Sequence, residues 1–267
     1  MRYFFHIGYL GTNYRGWQRQ TKTVNVQEVI ESALGQIFKK EIVVTGCGRT
    51  DAGVHASQFF FHVDIMQPWD FDLLFRINKV LPDDIAVFDI HPFEGEPHAR
   101  FDATLRTYDY FIHTYKDPFL HNVSSYYPEK ALDLDKMRAA ASLLLRYNDY
   151  ASFCKSPASY RTTICNVSYA ALFMDSSGDR IRFSISANRF LSKMIRVIVG
   201  KLLNIGRGEL SLDTFESYLA TRQSLGEIEP AYPQGLFLSK VTYPFLDLSP
   251  RTQFSPISEN AGEWARV

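Results

Sequence analysis

The stretch Gly46-Cys47-Gly48-Arg49-Thr50-Asp51-Ala52-Gly53-Val54-His55-Ala56, running into Ser57 to Ile65, decides how this chain is read. Three glycines within eight residues leave little side chain to fill a core. The segment therefore reads as a shaped loop between a strand near Glu41 to Thr45 and a second strand from Ser57 to Ile65. It is neither a G-x-G-x-x-G fingerprint nor a P-loop, because the spacing is wrong and no Lys-Ser/Thr follows.

Outward from this loop, strands and helices mix. Residues 3–9 alternate as a strand, with Tyr3, Phe5, Ile7 and Tyr9 on one face. Val26 to Lys39 repeats its apolar positions at three and four, behind a capping Asn25. A short helix near Phe71 to Val80 and a strand from Ile85 to His91 lead to a Glu- and Gly-containing junction at Pro92 to Pro97. The pattern then restarts, with a long strand from Ala99 to Tyr115 and a helix from Asp133 to Arg146. A hairpin at Ile164–Met174 and Arg180–Ala187 turns through Asp175-Ser176-Ser177-Gly178. A helix from Leu191 to Ile205, a helix after Ser211 and a strand from Leu236 to Tyr243 complete the list. Hairpin signals without regular strand–helix alternation predict an α+β fold. Two subdomains, 1–95 and 96–245, are expected to share a largely antiparallel central sheet with flanking helices. A loosely ordered Pro- and Ser-rich tail, 246–267, follows.

Composition bounds the function. With 46% hydrophobic and 22% charged residues the chain is globular. Cys47, Cys154 and Cys165 form no C-x-x-C pair, which fits a reducing cytoplasm and offers no zinc site. The histidines lack metal-ligand spacing. No run of about 20 apolar residues predicts a membrane span, and Arg2 and His6 interrupt any signal-like start. The 29 basic residues balance 29 acidic ones, which argues against bulk attraction to a polyanion. The balance is segregated, however. Seven basic residues and no acid lie between Arg180 and Gly208, and four basic residues and no acid between Met1 and Gln27. On the helix near 191–205, Arg189, Lys193, Arg196, Gly200 and Asn204 are expected to oppose an apolar stripe of Leu191, Met194, Ile195, Ile198, Leu202 and Ile205. A solvated face is one reading. Gly200 on that stripe favours another, the close approach of a backbone or ligand.

Three clusters could carry chemistry. In the first, Arg49 and Asp51 sit two positions apart, either as a site or as a turn in which Asp51 bonds backbone N–H groups. In the second, Gly8 to Gln20, aromatics, amides and arginines interleave, which suits stacking with phosphate contact, or a turn over a buried Trp17. In the third, Arg106, Tyr108, Tyr110 and Ile112 share a strand face, which could equally be core packing.

The loop Gly48 to Ala56, G-R-T-D-A-G-V-H-A, resembles the catalytic loop of the bacterial tRNA pseudouridine synthase A family. Three further blocks match in the expected order: G-T-N-Y-R-G-W-Q-R-Q, H-A-R-F-D-A-T-L-R-T-Y-D-Y and N-R-F-L-S-K-M-I-R-V-I-V-G-K-L, with a weaker G-L-F-L-S-K-V-T-Y after them. Leu10, where the family usually has Asp, and Ala231-Tyr232-Pro233, in place of the more usual A-P, depart from the pattern.

The resemblance implies a pseudouridine synthase fold and an isomerase that converts uridine to pseudouridine in the anticodon stem-loop of tRNA, at tRNA positions 38 to 40. It implies Asp51 as nucleophile, Tyr108 as the surface on which the target uracil stacks, Arg196 as the cation paired with the aspartate, and Arg49 as the group that helps displace the base. Arg15, Arg19, Arg189 and Lys193 would then contact the tRNA. A homodimer acting in the cytoplasm, with no cofactor and no metal, is also implied. Opposite charge beside Asp51 would keep it ionised, and the target uridine must leave its stem before chemistry. A non-catalytic RNA-binding module on the same fold is the alternative. A phosphate-ester hydrolase built on Asp51 and His55 is a weaker one, because no cluster of metal ligands supports it.

Overall fold

A computed structural model describes residues 1–66, 68–129, 131–221, 228–251 and 265–266. In chain order the elements are β1 (Arg2–Tyr9), α1 (Val26–Phe38), β2 (Thr45–Gly46), β3 (His55–Asp64), α2 (Leu73–Val80), β4 (Ile85–Phe93) and β5 (Leu105–His113). They continue with β6 (Ser125–Tyr126), α3 (Leu134–Leu143), β7 (Val167–Met174), β8 (Arg180–Ala187), α4 (Met194–Gly206), α5 (Leu212–Thr221), β9 (Leu236–Thr242) and β10 (Ala265–Arg266). Mixed helices and largely antiparallel strands make the fold α+β. No helix among the described residues is long and apolar enough to cross a membrane.

The chain forms two compact units, Met1–Arg106 with Phe237–Phe254, and Thr107–Leu236 with Ser255–Val267. The division thus falls after Arg106, later than the Pro92 to Pro97 junction, and nearly all of β9 returns to the first unit.

In the first unit the strand order is β9-β3-β1-β4, with β2 on β3. β1 pairs antiparallel with both β3 and β4, whereas β9 runs parallel to β3 through His55↔Phe237 and Ala56↔Leu238. Both faces of β1 are covered, so Phe4 is as buried as Phe5 and Ile7, and the expected one-sided alternation does not hold. Phe4 packs edge-on against Phe93, Tyr243 and Phe245. Helix α1 starts where its sequence predicts, with the Asn25 side chain accepting from Glu28 N at 3.0 Å.

Two expected strands of this unit shorten for identifiable reasons. The run Glu41 to Thr45 contracts to β2 because side chains of α1 take the backbone of Val44. Glu31 Oε1 accepts from Val44 N at 3.1 Å and Gln27 Nε2 donates to Val44 O at 3.1 Å. The long strand from Ala99 begins only at Leu105. Before it, His98 N donates to the Asp102 carboxylate at 2.7 Å and Asp102 N to His98 O at 3.1 Å, closing a turn. The start of the tail is also tied down. Gln58 Nε2 donates to Leu248 O at 3.2 Å, and Arg251 donates to Phe88 O at 2.9 Å. Most of the remaining tail, 252–264, lies outside the described residues.

In the second unit the strand order is β10-β7-β8-β5, with β6 parallel to β5. The β7–β8 hairpin is antiparallel and turns on Asp175, whose carboxylate accepts from Asp179 N and Arg180 N at 3.1 Å each. Helix α4 buries Met194, Ile195, Ile198, Leu202 and Ile205, the expected stripe. It starts at Met194 rather than Leu191, because Lys193 adopts a left-handed φ of 60° at its N-cap. Arg189 and Lys193 therefore precede the helix, and the five-residue polar stripe reduces to Arg196, Gly200 and Asn204. Ser211 caps α5 by accepting from Thr214 N at 3.1 Å.

Candidate active site

In the first unit, Gly8 to Gln20 and the loop between β2 and β3 interlock. Trp17 N donates to Thr50 O at 3.3 Å, Gly53 N to Tyr14 O at 3.2 Å, and Val54 N to Asp51 O at 3.1 Å. The Tyr9 hydroxyl lies 3.0 Å from Thr50 Oγ1. Glycine is required at the closest approaches. A Cβ on Gly11 would come within 2.0 Å of Val54 O, and one on Gly16, whose φ is +90°, within 2.3 Å of Thr50 O. A Cβ on Gly46 would strike the Trp17 ring at 2.6 Å. Trp17 is buried and stacks on Phe59 at 4.1 Å. The aromatics of this block, Tyr9, Tyr14 and Trp17, are thus core, and its backbone is a mould for the loop. Asp51 is held half-buried in that mould.

Of the expected cations here, Arg15 and Arg49 are exposed. Arg49 Nε donates to Gln18 Oε1 at 3.1 Å. Arg19 lies 3.1 Å from the buried carboxylate of Glu31, an ion pair the sequence reading missed because Glu31 occupies a helix position that looks exposed. His55 is fully buried, accepts from Gly11 N at 2.8 Å, and stacks on Phe237 at 4.4 Å. It is built into the scaffold, which removes the acid–base partner that a hydrolase on Asp51 would need.

Arg106 is a second residue whose role the sequence hid. Its guanidinium donates to Cys47 O at 2.9 Å, Arg100 O at 2.7 Å and Ala103 O at 3.1 Å, fastening the start of the loop to the turn before β5. Burial pushes the Cys47 thiol up to about 11, so it stays protonated at neutral pH. Leu10 stands half-exposed, and Asp84 supplies a carboxylate nearby, accepting from Tyr14 Oη and from Asn13 Nδ2.

In the second unit, Tyr108 lies on β5, buried to 9% exposure, with its ring edge-on to Phe190 at 5.2 Å. Arg196, in the first turn of α4, is gripped twice by one residue. Its Nε donates to Ala231 O at 2.6 Å and its carbonyl accepts from Ala231 N at 2.9 Å. Gly200, one turn on, exists for the same approach, since a Cβ there would lie 2.6 Å from Glu229 O. The backbone at 229–231, rather than a ligand, explains that glycine. Tyr232 of the departing Ala-Tyr-Pro stacks on Tyr127 at 5.5 Å, and its carbonyl accepts from the buried Tyr110 hydroxyl at 2.8 Å.

The acid-free basic stretches are partly neutralised. Arg2 pairs with Asp64, Arg180 with Asp175 and Arg207 with Glu129, while Arg182 lies 4.3 Å over the Phe173 ring. Arg15, Arg189, Lys193 and Lys201 make no ion pair among the described residues.

A family model for tRNA pseudouridine synthase matches residues 140–244. The chain is 42% identical over 246 residues to the tRNA pseudouridine synthase A of Parabacteroides distasonis, covering 91% of this chain and 96% of the relative. The corresponding proteins of Bacteroides fragilis and Porphyromonas gingivalis are 40% and 39% identical, each over 91% of this chain and 96% and 97% of their own length. The chain belongs to the tRNA pseudouridine synthase A family. Arg49 and Asp51 of the family's loop lie in the first unit, and Tyr108 and Arg196 in the second.

Proposed function

We propose that this chain isomerises uridine to pseudouridine in the anticodon stem-loop of tRNA, at tRNA positions 38 to 40, with Asp51 as the nucleophile. Family membership supports the activity. The observation that carries the residue assignment is the mould around the loop. Glycine at three contact positions and backbone bonds at Thr50, Asp51 and Gly53 hold one half-buried carboxylate, and a carboxylate that must reach a single atom needs such fixing.

The reaction breaks the N1–C1′ bond, turns the uracil, and joins C5 to C1′. The proton at C5 leaves and N1 regains one, so atoms balance without oxidant or donor. Asp51 acts as an anion, by attack on C1′, by deprotonation of C2′ or by addition to C6. Arg196 supplies the positive charge that favours the ionised carboxylate. Tyr108 stacks the extruded base, and Arg49 helps displace it from the stem. Arg15, Arg19, Arg189 and Lys193 meet phosphates, Arg19 while also balancing Glu31. The working enzyme is a cytoplasmic homodimer.

Tritium release from tRNA labelled at uracil C5 tests the assignment. Wild type is expected to release it and Asp51→Ala to fall at least about a thousandfold. Equal release would remove Asp51 from the chemistry. Binding without release by wild type would instead favour the non-catalytic RNA-binding reading.

A further inference from the structure

We infer that Gln18 is a positioning residue for Arg49, set in place by a directional hydrogen-bond chain that ends at the buried carboxylate of Glu31. The inference rests on the proposed role of Arg49 in displacing the target base. All members lie in the first unit.

The direction of the chain follows from donor and acceptor capacity. A carboxylate accepts and never donates. Glu31 Oε1 takes Gln27 Nε2 at 2.9 Å and Val44 N at 3.1 Å. The same Gln27 amide nitrogen also donates to Val44 O at 3.1 Å, so Gln27 must turn its oxygen the other way. That oxygen accepts from Gln18 Nε2 at 2.9 Å and from Arg19 N at 3.1 Å. Gln18 in turn must face Arg49 with its oxygen, and Oε1 accepts from Arg49 Nε at 3.1 Å. Every amide orientation between α1 and the loop is thereby dictated by Glu31 together with the Val44 carbonyl.

The outer end of this chain is not needed to satisfy the inner one. Glu31 and Val44 have partners without Gln18 Oε1, so that oxygen's bond to an exposed arginine serves Arg49. A free surface arginine samples many rotamers, and freezing it costs conformational entropy. Fixing Nε beforehand removes part of that cost and leaves both Nη groups for the nucleic acid.

The test is a double-mutant cycle with tRNA carrying 2-aminopurine beside the target uridine, followed by fluorescence for base extrusion and by single-turnover conversion. Gln18→Met should slow both by about tenfold, while tRNA affinity stays within about twofold. In an Arg49→Ala background, Gln18→Met should add nothing. Gln18→Glu, which keeps an acceptor for Arg49 but sets a carboxylate oxygen against Gln27 Oε1 and so breaks the chain, should recover only part of the rate. Glu31→Gln, which removes the acceptor-only end at nearly constant shape, should give a smaller loss, again absent in the Arg49→Ala background. Wild-type rates in Gln18→Met beside a slow Arg49→Ala would overturn the inference alone, as would losses that add in either double mutant. Wild-type extrusion and turnover in Arg49→Ala would remove the role of Arg49 and this inference with it.

Discussion

The loop Cys47–Val54 in the first unit and the segment Arg189–Arg196 in the second both carry family motifs, yet they are held differently. The loop is fixed through its backbone, by glycines that admit contacts no side chain could tolerate and by N–H donors at Trp17, Gly53 and Val54. The second segment is held mainly at its end, where Ala231 bonds both the side chain and the carbonyl of Arg196, while Arg189 and Lys193 make no ion pair among the described residues. The difference matches the work proposed for each. A nucleophile must be placed to within a fraction of an ångström, whereas cations facing a polyanion act at longer range and tolerate several positions.

Substitutions that separate these two modes come first. Gly16→Ala meets Thr50 O at 2.3 Å with an unfavourable φ, so it should destabilise by about 2–4 kcal/mol and slow tritium release. Gly48→Ala, in the same loop but with nothing within 4 Å, should stay within about 0.5 kcal/mol by denaturant unfolding. Equal effects would show that the mould is not steric.

Acid probes the strand that leaves the loop. His62 on β3 accepts from Ala99 N at 3.0 Å, and burial with nearby Arg2 lowers its pKa to about 4 from 6.5. The unfolded chain therefore takes the proton first as pH falls. Stability should be full above pH 6.5 and lost by up to about 3 kcal/mol on descending to pH 4. His62→Gln should flatten that slope in urea titrations at each pH, and an unchanged slope would place the acid sensitivity elsewhere.

The second segment responds more gently. Gly200→Ala should lower stability by about 1–3 kcal/mol, through the clash with Glu229 O, and leave the salt dependence of tRNA binding unchanged. Arg189→Ala and Lys193→Ala should each reduce the slope of log affinity against log salt by about one. Arg207→Ala, whose guanidinium pairs with Glu129, should leave that slope alone. A large slope change from Gly200→Ala would mean that nucleic acid, not backbone, approaches there.

What could be read in the sequence was what local chemistry decides. Asn25 announced α1, the apolar stripe announced α4, and Gly200 announced a close approach. What could not be read depended on partners distant in the chain. Val44 is strand-like by side chain, but its N–H and C=O are taken by Glu31 and Gln27, so β2 is cut short. Ala99 to Thr104 alternates like a strand while its backbone closes on Asp102. Gln27 and Glu31 look like ordinary helix-surface residues, and only folding shows them buried against Val44 and Gln18. Arg19 and Arg207 counted as free charge in the sequence, but acids from elsewhere claim them.

The parallel pairing of β9 with β3 has a consequence for the order in which the protein is made. The first unit is discontinuous, and Phe237–Phe254 is synthesised after Thr107–Leu236. His55 and Ala56, where the loop leaves for β3, gain their neighbours Phe237 and Leu238 only then. Domains generally fold as units, in N- to C-terminal order during synthesis. Here the unit that begins first must wait for most of the other to be made, so a ribosome-bound chain carries Asp51 long before β9 can join β3.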